Sequence, residues 1–185
     1  MTMPDLGSMS IPEPRWLGIR ETRLGNDWLA RWIDADTLPA GAPAAYGYAV
    51  VLMGDKGYVT RAAGSEHWDA LEGAIPAGTK PDAWLKSAAR DRIGATLGKT
   101  VLIGYLECRA TSHNPEFAAG TVTIRPFYAV AAKKVEDQPR DAGWERRRLP
   151  ANEFSAYVRQ RYPDIEEYLQ KAIELVLIWK ARGEV

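Results

Sequence analysis

Eight residues from Tyr46 to Met53 read Tyr-Gly-Tyr-Ala-Val-Val-Leu-Met and carry no charged side chain. That run constrains the fold more than any other feature. A strand covered on one face alternates apolar and polar residues, whereas a nearly continuous apolar run suits a strand buried on both faces. Gly54-Asp55-Lys56-Gly57 then makes a turn, and Tyr58-Val59-Thr60 starts a return strand. A Gly/Ser loop leads on to Trp68. Further along, Trp84, Leu85, Ala88, Ala89 and Ile93 fall on one face at helical spacing and predict a helix. Thr79 and Asp82 form a capping pair at its start, Pro81 is tolerated in the first turn, and Gly94 closes it.

Residues 100–106 and 121–132 read as strands, separated by a polar loop around Ser112-His113-Asn114-Pro115. Trp144 and the turn at Leu149-Pro150 precede a helix starting near Asn152. A long amphipathic helix follows from residue 163 to about residue 182. It turns Ile165, Tyr168, Leu169, Ala172, Ile173, Val176 and Trp179 inward, with Leu175, Leu177 and Ile178 adding apolar surface off that stripe. Ahead of the central strand, residues 1–14 read as a loose tail. Residues 16–22 and Trp28–Asp34 read as a hairpin turned at Leu24-Gly25-Asn26-Asp27, and residues 38–45 as a Pro/Ala/Gly linker. No internal repeat is visible. Strands, a helix, strands, then helices make a mixed α/β sandwich.

Composition removes several function classes. Lys+Arg and Asp+Glu both number 24, so the net charge is zero and nothing marks a nucleic-acid partner. Arg146-Arg147-Arg148 is the one short basic run, read as a solvated surface turn. Cys108 is the single cysteine, which rules out an intrachain disulfide, and His67 and His113 have no spacing that resembles a ligand pair. No stretch approaches the ~18 consecutive apolar residues of a membrane span. The expected setting is cytoplasmic, with no membrane partner.

Residues 68–95 resemble the Nudix hydrolase family, whose box reads G-xxxxx-E-xxxxxxx-R-E-U-x-E-E-x-G-U after W-x-x-P-G, with U an aliphatic residue. Laid down without a gap, Trp68 takes the tryptophan position and Gly73 the opening glycine. The first glutamate falls at Thr79, inside Gly78-Thr79-Lys80-Pro81. The R-E pair falls at Ser87-Ala88, the E-E pair at Asp91-Arg92, and the closing glycine at Gly94. The skeleton is kept while most of the acids are replaced, so the box is degenerate. The resemblance implies a Nudix-type α/β/α sandwich with a mixed β-sheet, an N-terminal β-hairpin extension and a long C-terminal helix. It divides the chain into a tail and hairpin, residues 1–45, and a Nudix-like domain, residues 46–185.

In that family the box glutamates hold magnesium, which bridges the phosphates of a nucleoside diphosphate derivative. Magnesium takes hard oxygen ligands, usually carboxylates and substrate phosphates. The family's box carries about minus three; here Thr79, Ser87, Ala88, Asp91 and Arg92 sum to zero. Two unit charges ~4 Å apart interact by ~4 kcal/mol at an effective dielectric of about 20, so the change removes most of the affinity for a divalent ion. The expected cofactor is none, or weakly bound magnesium. Asp91 is the candidate catalytic and metal-binding residue. Its alternative role is a structural ion pair beside the core, because it lies seven residues after Trp84. Trp68, Glu72, Gly73, Thr79 and Ser87 are the candidate ligand-binding residues; Thr79 also serves as a helix cap worth ~1 kcal/mol. Glu66, Asp69, Glu107, Glu116, Glu136 and Asp137 are further acids that border the cleft in the resembled fold.

Three readings follow. The first is a domain that binds a nucleotide-like or other small ligand without Nudix hydrolysis. The second is a divergent metal-dependent phosphoanhydride hydrolase of ADP-ribose-like nucleoside diphosphate derivatives. The third is an interaction or structural protein. The hairpin resembles the extra strands through which some Nudix enzymes pair, and implies a homodimer.

Overall fold

The computed structural model describes residues 21–185. Eight strands form one mixed sheet: β1 Thr22–Leu24, β2 Trp28–Asp34, β3 Tyr46–Met53, β4 Lys56–Ala62, β5 Leu71–Ala74, β6 Ala95–Ala110, β7 Val122–Val135 and β8 Trp144–Pro150. The order is β1-β2-β6-β7-β3-β4-β8, with β5 also paired to β3. β3 and β7 run parallel, and the other pairs are antiparallel. The hairpin is present as β1 and β2, and residues 16–20 of its first run lie outside the described residues.

The uncharged run over Tyr46–Met53 is β3, and it is buried on both faces. Tyr48, Val50 and Leu52 enter one core, with Phe127, Phe154, Leu169, Ile173 and Val176. Ala49 and Val51 enter the other, with Leu71, Trp84, Leu85 and Ile93. The first core lies under α2 Ala151–Arg161 and α3 Glu166–Ala181, and the second under α1 Pro81–Ala88. Helices on both sides of a mixed sheet make an α/β/α sandwich.

Several expectations are corrected. The helix carrying the box changes its winding: after Ala88 it continues as a π-helical turn, Ala89–Ile93. Lys80, not Thr79, is the N-cap, and no side chain caps the helix; the Thr79 N–H instead closes the preceding turn on Pro76 O at 3.0 Å. The stretch after Trp68, to which the sequence reading gave no element, holds a strand, β5, which places Gly73 beside β3. The region of Trp144 and the three arginines is also a strand, β8, paired with β4 along its whole length, and not a surface turn. The C-terminal helix starts at Glu166. Leu175 and Leu177 pack on the core, leaving Ile178, 43% exposed, as the off-stripe apolar side chain that faces outward. No helix among the described residues is long and apolar enough to cross a membrane.

Candidate functional site

The box helix ends where three parts of the chain are tied together. Gly94 takes a left-handed φ of 79°, and a Cβ there would meet Gln138 O at 2.5 Å. The Asp141 N–H donates to Asp91 O at 2.9 Å, the Glu136 N–H to Gly94 O at 2.9 Å, and Arg146 Nη1 to Ile93 O. The last carbonyls of a helix have no partner within it. Here β8 and the loop before it supply the partners. Arg146 therefore has a structural task, which corrects its reading as part of a solvated run.

Asp91 sits on this end, half-exposed. Ser87 Oγ donates to its Oδ2 at 3.1 Å, and Arg90 Nε donates to its Oδ1 at 2.9 Å. Arg90 holds the Asp91 carboxyl below its usual range, with Ser87 adding to the effect. Both oxygens thus have protein partners. The wider π-helical winding turns Asp91 off the Trp84 stripe, which explains why it faces outward rather than beside the core.

Arg92 lies next to it and points across the sheet edge. Its Nη1 donates to the backbone oxygen of Glu72, and its guanidinium stands over the Trp144 ring, 4.0 Å from the centroid. Gly73 makes room for it: a Cβ there would lie 2.9 Å from Arg92 Nη2. Burial pushes the Arg92 guanidinium down, against the pull of Tyr46, Glu72, Asp91 and Asp141. Ser87, Asp91, Arg92, Asp141 and Trp144 border a cavity of about 250 Å³. A second cavity of about 480 Å³ shares Trp144 and adds Trp68, Arg61, Arg146 and Arg147.

Of the candidate site residues, Ser87 and Asp91 line the first cavity and Trp68 the second. The Trp68 ring already has two cations against it, Arg61 at 4.5 Å and Arg147 at 4.6 Å. A base stacking on Trp68 would compete with contacts worth ~0.5–1 kcal/mol each at an exposed site. Thr79 borders neither cavity. The Glu72 side chain turns toward Tyr46, whose hydroxyl donates to Oε1 at 3.1 Å, and toward Tyr162, also hydrogen-bonded to it. Asp69 pairs with Arg161, Glu107 with Arg31 and Glu136 with Arg140. Among the described residues no three His, Cys, Asp or Glu side chains gather as a metal cluster. With Asp91 engaged by Arg90 and Ser87, and Arg92 in the seat of a box glutamate, the residues present do not fit a magnesium centre. Asp141 and Trp144 are the site residues that sequence reasoning missed. Their signal would have been an acid and a tryptophan in one turn, Asp141-Ala142-Gly143-Trp144.

Burial pushes the Glu72 carboxyl up, with Asp69 adding to the effect. A carboxyl whose native pKa lies above its unfolded value binds its proton more tightly when folded, so its contribution grows as pH falls through the native value toward the ordinary one. Glu72→Gln should flatten that part of the stability–pH curve, measured as the difference from wild type in urea midpoints between pH 4 and 7 (a range set by ordinary carboxyl values). Glu72→Ala should cost ~1–3 kcal/mol by removing the acceptor of the Tyr46 hydroxyl and one of the two partners of the Tyr162 hydroxyl, which still accepts from the Ala70 N–H.

No family model matches the chain, and no curated protein matches it. Solved structures do. The pyrophosphohydrolase BsRppH of Bacillus subtilis, in a point-mutant form, superposes with a TM-score of 0.54 at 12% identity, covering 70% of this chain and 77% of its own. A NUDIX hydrolase from Nitrosomonas europaea gives 0.45 at 17% identity, covering 62% and 77%. A MutT structure from work on Aliivibrio salmonicida and Vibrio cholerae gives 0.46 at 14%, covering 70% and 94%. Identities this low speak to architecture and not to chemistry. The sheet with helices on both faces, the box helix packed against β3 and the likeness to BsRppH, which covers 70% of the chain, together give this chain a Nudix-type fold.

Proposed function

We propose that this Nudix-type domain binds a small nucleotide-like anion in the cleft beside the box helix without the metal-dependent hydrolysis that the box performs in the family it resembles. The observation that carries this reading is the state of Asp91. It is the one carboxylate left at a box position, and its two oxygens accept from Arg90 and Ser87. Arg92, in the neighbouring position, adds a guanidinium where the resemblance implies an acid. Of the two cavities meeting at Trp144, the one of about 480 Å³ lies in the range that small ligands occupy, and the one of about 250 Å³ adjoins it. Arginines supply the positive groups on their walls, which suits a phosphate-bearing ligand held directly by guanidinium donors.

The test is binding in metal-free buffer. Fluorescence titration with ADP-ribose, ADP and ATP in EDTA should report uptake, with the signal coming from Trp68 and Trp144. The same panel with magnesium or manganese should give no turnover above background. A second reading has one observation in its favour: Asp141 borders the same cavity as Asp91, so two carboxylates face it. Turnover lost in both Asp91→Asn and Asp141→Asn would establish that divergent hydrolase in place of the reading above.

A further inference from the structure

We propose that the box is a cation site whose cation belongs to the chain: the Arg92 guanidinium fills it, and its removal opens a latent site for a divalent ion. The inference rests on the metal-independent reading of this cleft and says what makes the cleft metal-independent.

Burial works against the Arg92 charge, yet the groups that face it offer what a cation needs. Glu72 offers a backbone carbonyl, a hard oxygen, and Arg92 donates to it. Asp91 and Asp141 border the same cavity, and both act to keep the guanidinium charged, as does Glu72. Trp144 presents its ring at 4.0 Å. Gly73 gives up a side chain at the place where Arg92 Nη2 rests. These parts come from β5, the π-helical turn, the loop at Asp141 and β8, four separate segments converging on one half-buried cation. Asp91, Asp141 and Arg92 sum to minus one, and Arg90 on Asp91 brings the total to zero. Arg92→Glu shifts that total by two charge units and leaves three carboxylates, a serine hydroxyl and a carbonyl oxygen around the vacated seat. Such oxygen donors suit magnesium or manganese. A merely structural arginine, holding the edge of β5 through Glu72 O, would leave divalent affinity unchanged when replaced.

The experiment is a manganese titration followed by the loss of the free-ion resonance, using the full chain as wild type, Arg92→Gln and Arg92→Glu, each checked for native circular dichroism. Wild type should show no saturable uptake up to about 1 mM, a weak limit beside the micromolar affinities of built oxygen sites. Arg92→Glu should bind at least tenfold more tightly than wild type, Arg92→Gln should lie between, and adding Asp91→Asn to Arg92→Glu should abolish the gain. Magnesium should raise the melting temperature of Arg92→Glu and leave wild type unmoved, since a ligand stabilises only a state that binds it. If Arg92→Glu does not fold, Arg92→Gln decides alone: tighter uptake than wild type supports the proposal, and unchanged uptake overturns it. Saturable uptake by wild type, equal to that of Arg92→Glu, also overturns it. Failure of the ligand-binding reading looks different, as no nucleotide uptake by wild type in EDTA, and does not alter the manganese result.

Discussion

Phe154→Ala is expected to lower folding stability by about 3–5 kcal/mol, the usual loss for emptying a fully buried aromatic site. Phe154 is 0% exposed and joins α2 to the core under α3. Its ring lies so close to β4 that a Cβ on Gly57 would meet Phe154 Cδ1 at 2.4 Å. In a domain of this size the loss corresponds to roughly 6–20 °C in melting temperature. The contact with Gly57 gives a second, sharper expectation. Gly57→Ala in the wild-type background should cost about 1–3 kcal/mol by overpacking. In the Phe154→Ala background it should cost far less, because the added methyl enters the vacated space. Urea unfolding of the four proteins measures the coupling between neighbouring sites; additive losses would mean that the ring and the glycine do not share that space.

Gly94→Ala is the second large effect, expected at about 2–5 kcal/mol. A left-handed backbone costs a residue with a Cβ ~1–2 kcal/mol. The added carbon would also meet the Gln138 carbonyl, a backbone atom, at 2.5 Å, and relief requires moving the loop before β8. Arg146→Ala is the comparison. It removes the donor to Ile93 O at the same helix end and should cost ~1–3 kcal/mol. Gly94→Ala should therefore exceed Arg146→Ala in thermal melts, and should also weaken nucleotide uptake, because Asp141 and Trp144 ride on the displaced loop. Equal, small losses would show that the loop yields without strain.

The layers of the fold were legible because burial on two faces leaves a mark in composition. Tyr46–Met53 has no polar alternation, and both sides of β3 are covered. The inward stripe from Ile165 to Trp179 likewise names the residues that meet the sheet. β8 was not legible. It is an edge strand whose Glu145 and three arginines face cavities or solvent, so the apolar alternation that marks a half-buried strand is missing. β5 is four residues long, too short for any period to show.

The candidate site divides in the same way. A linear sequence determines charge at each position, and the neutral sum over Thr79, Ser87, Ala88, Asp91 and Arg92 was readable without a structure. The helix that carries the last four was readable too, from its spacing of apolar residues. Its π-helical end was not, since one extra residue in a turn is settled by what the last carbonyls can reach, here Arg146 and the Asp141 N–H. That winding turns Asp91 outward to Arg90 and sends Arg92 over Gly73 toward Trp144, some fifty residues along the chain. Local composition could say that the box lacks acid. Only long-range contacts, which bring oxygen donors and an aromatic face from distant segments around one guanidinium, decided where its positive charge would rest.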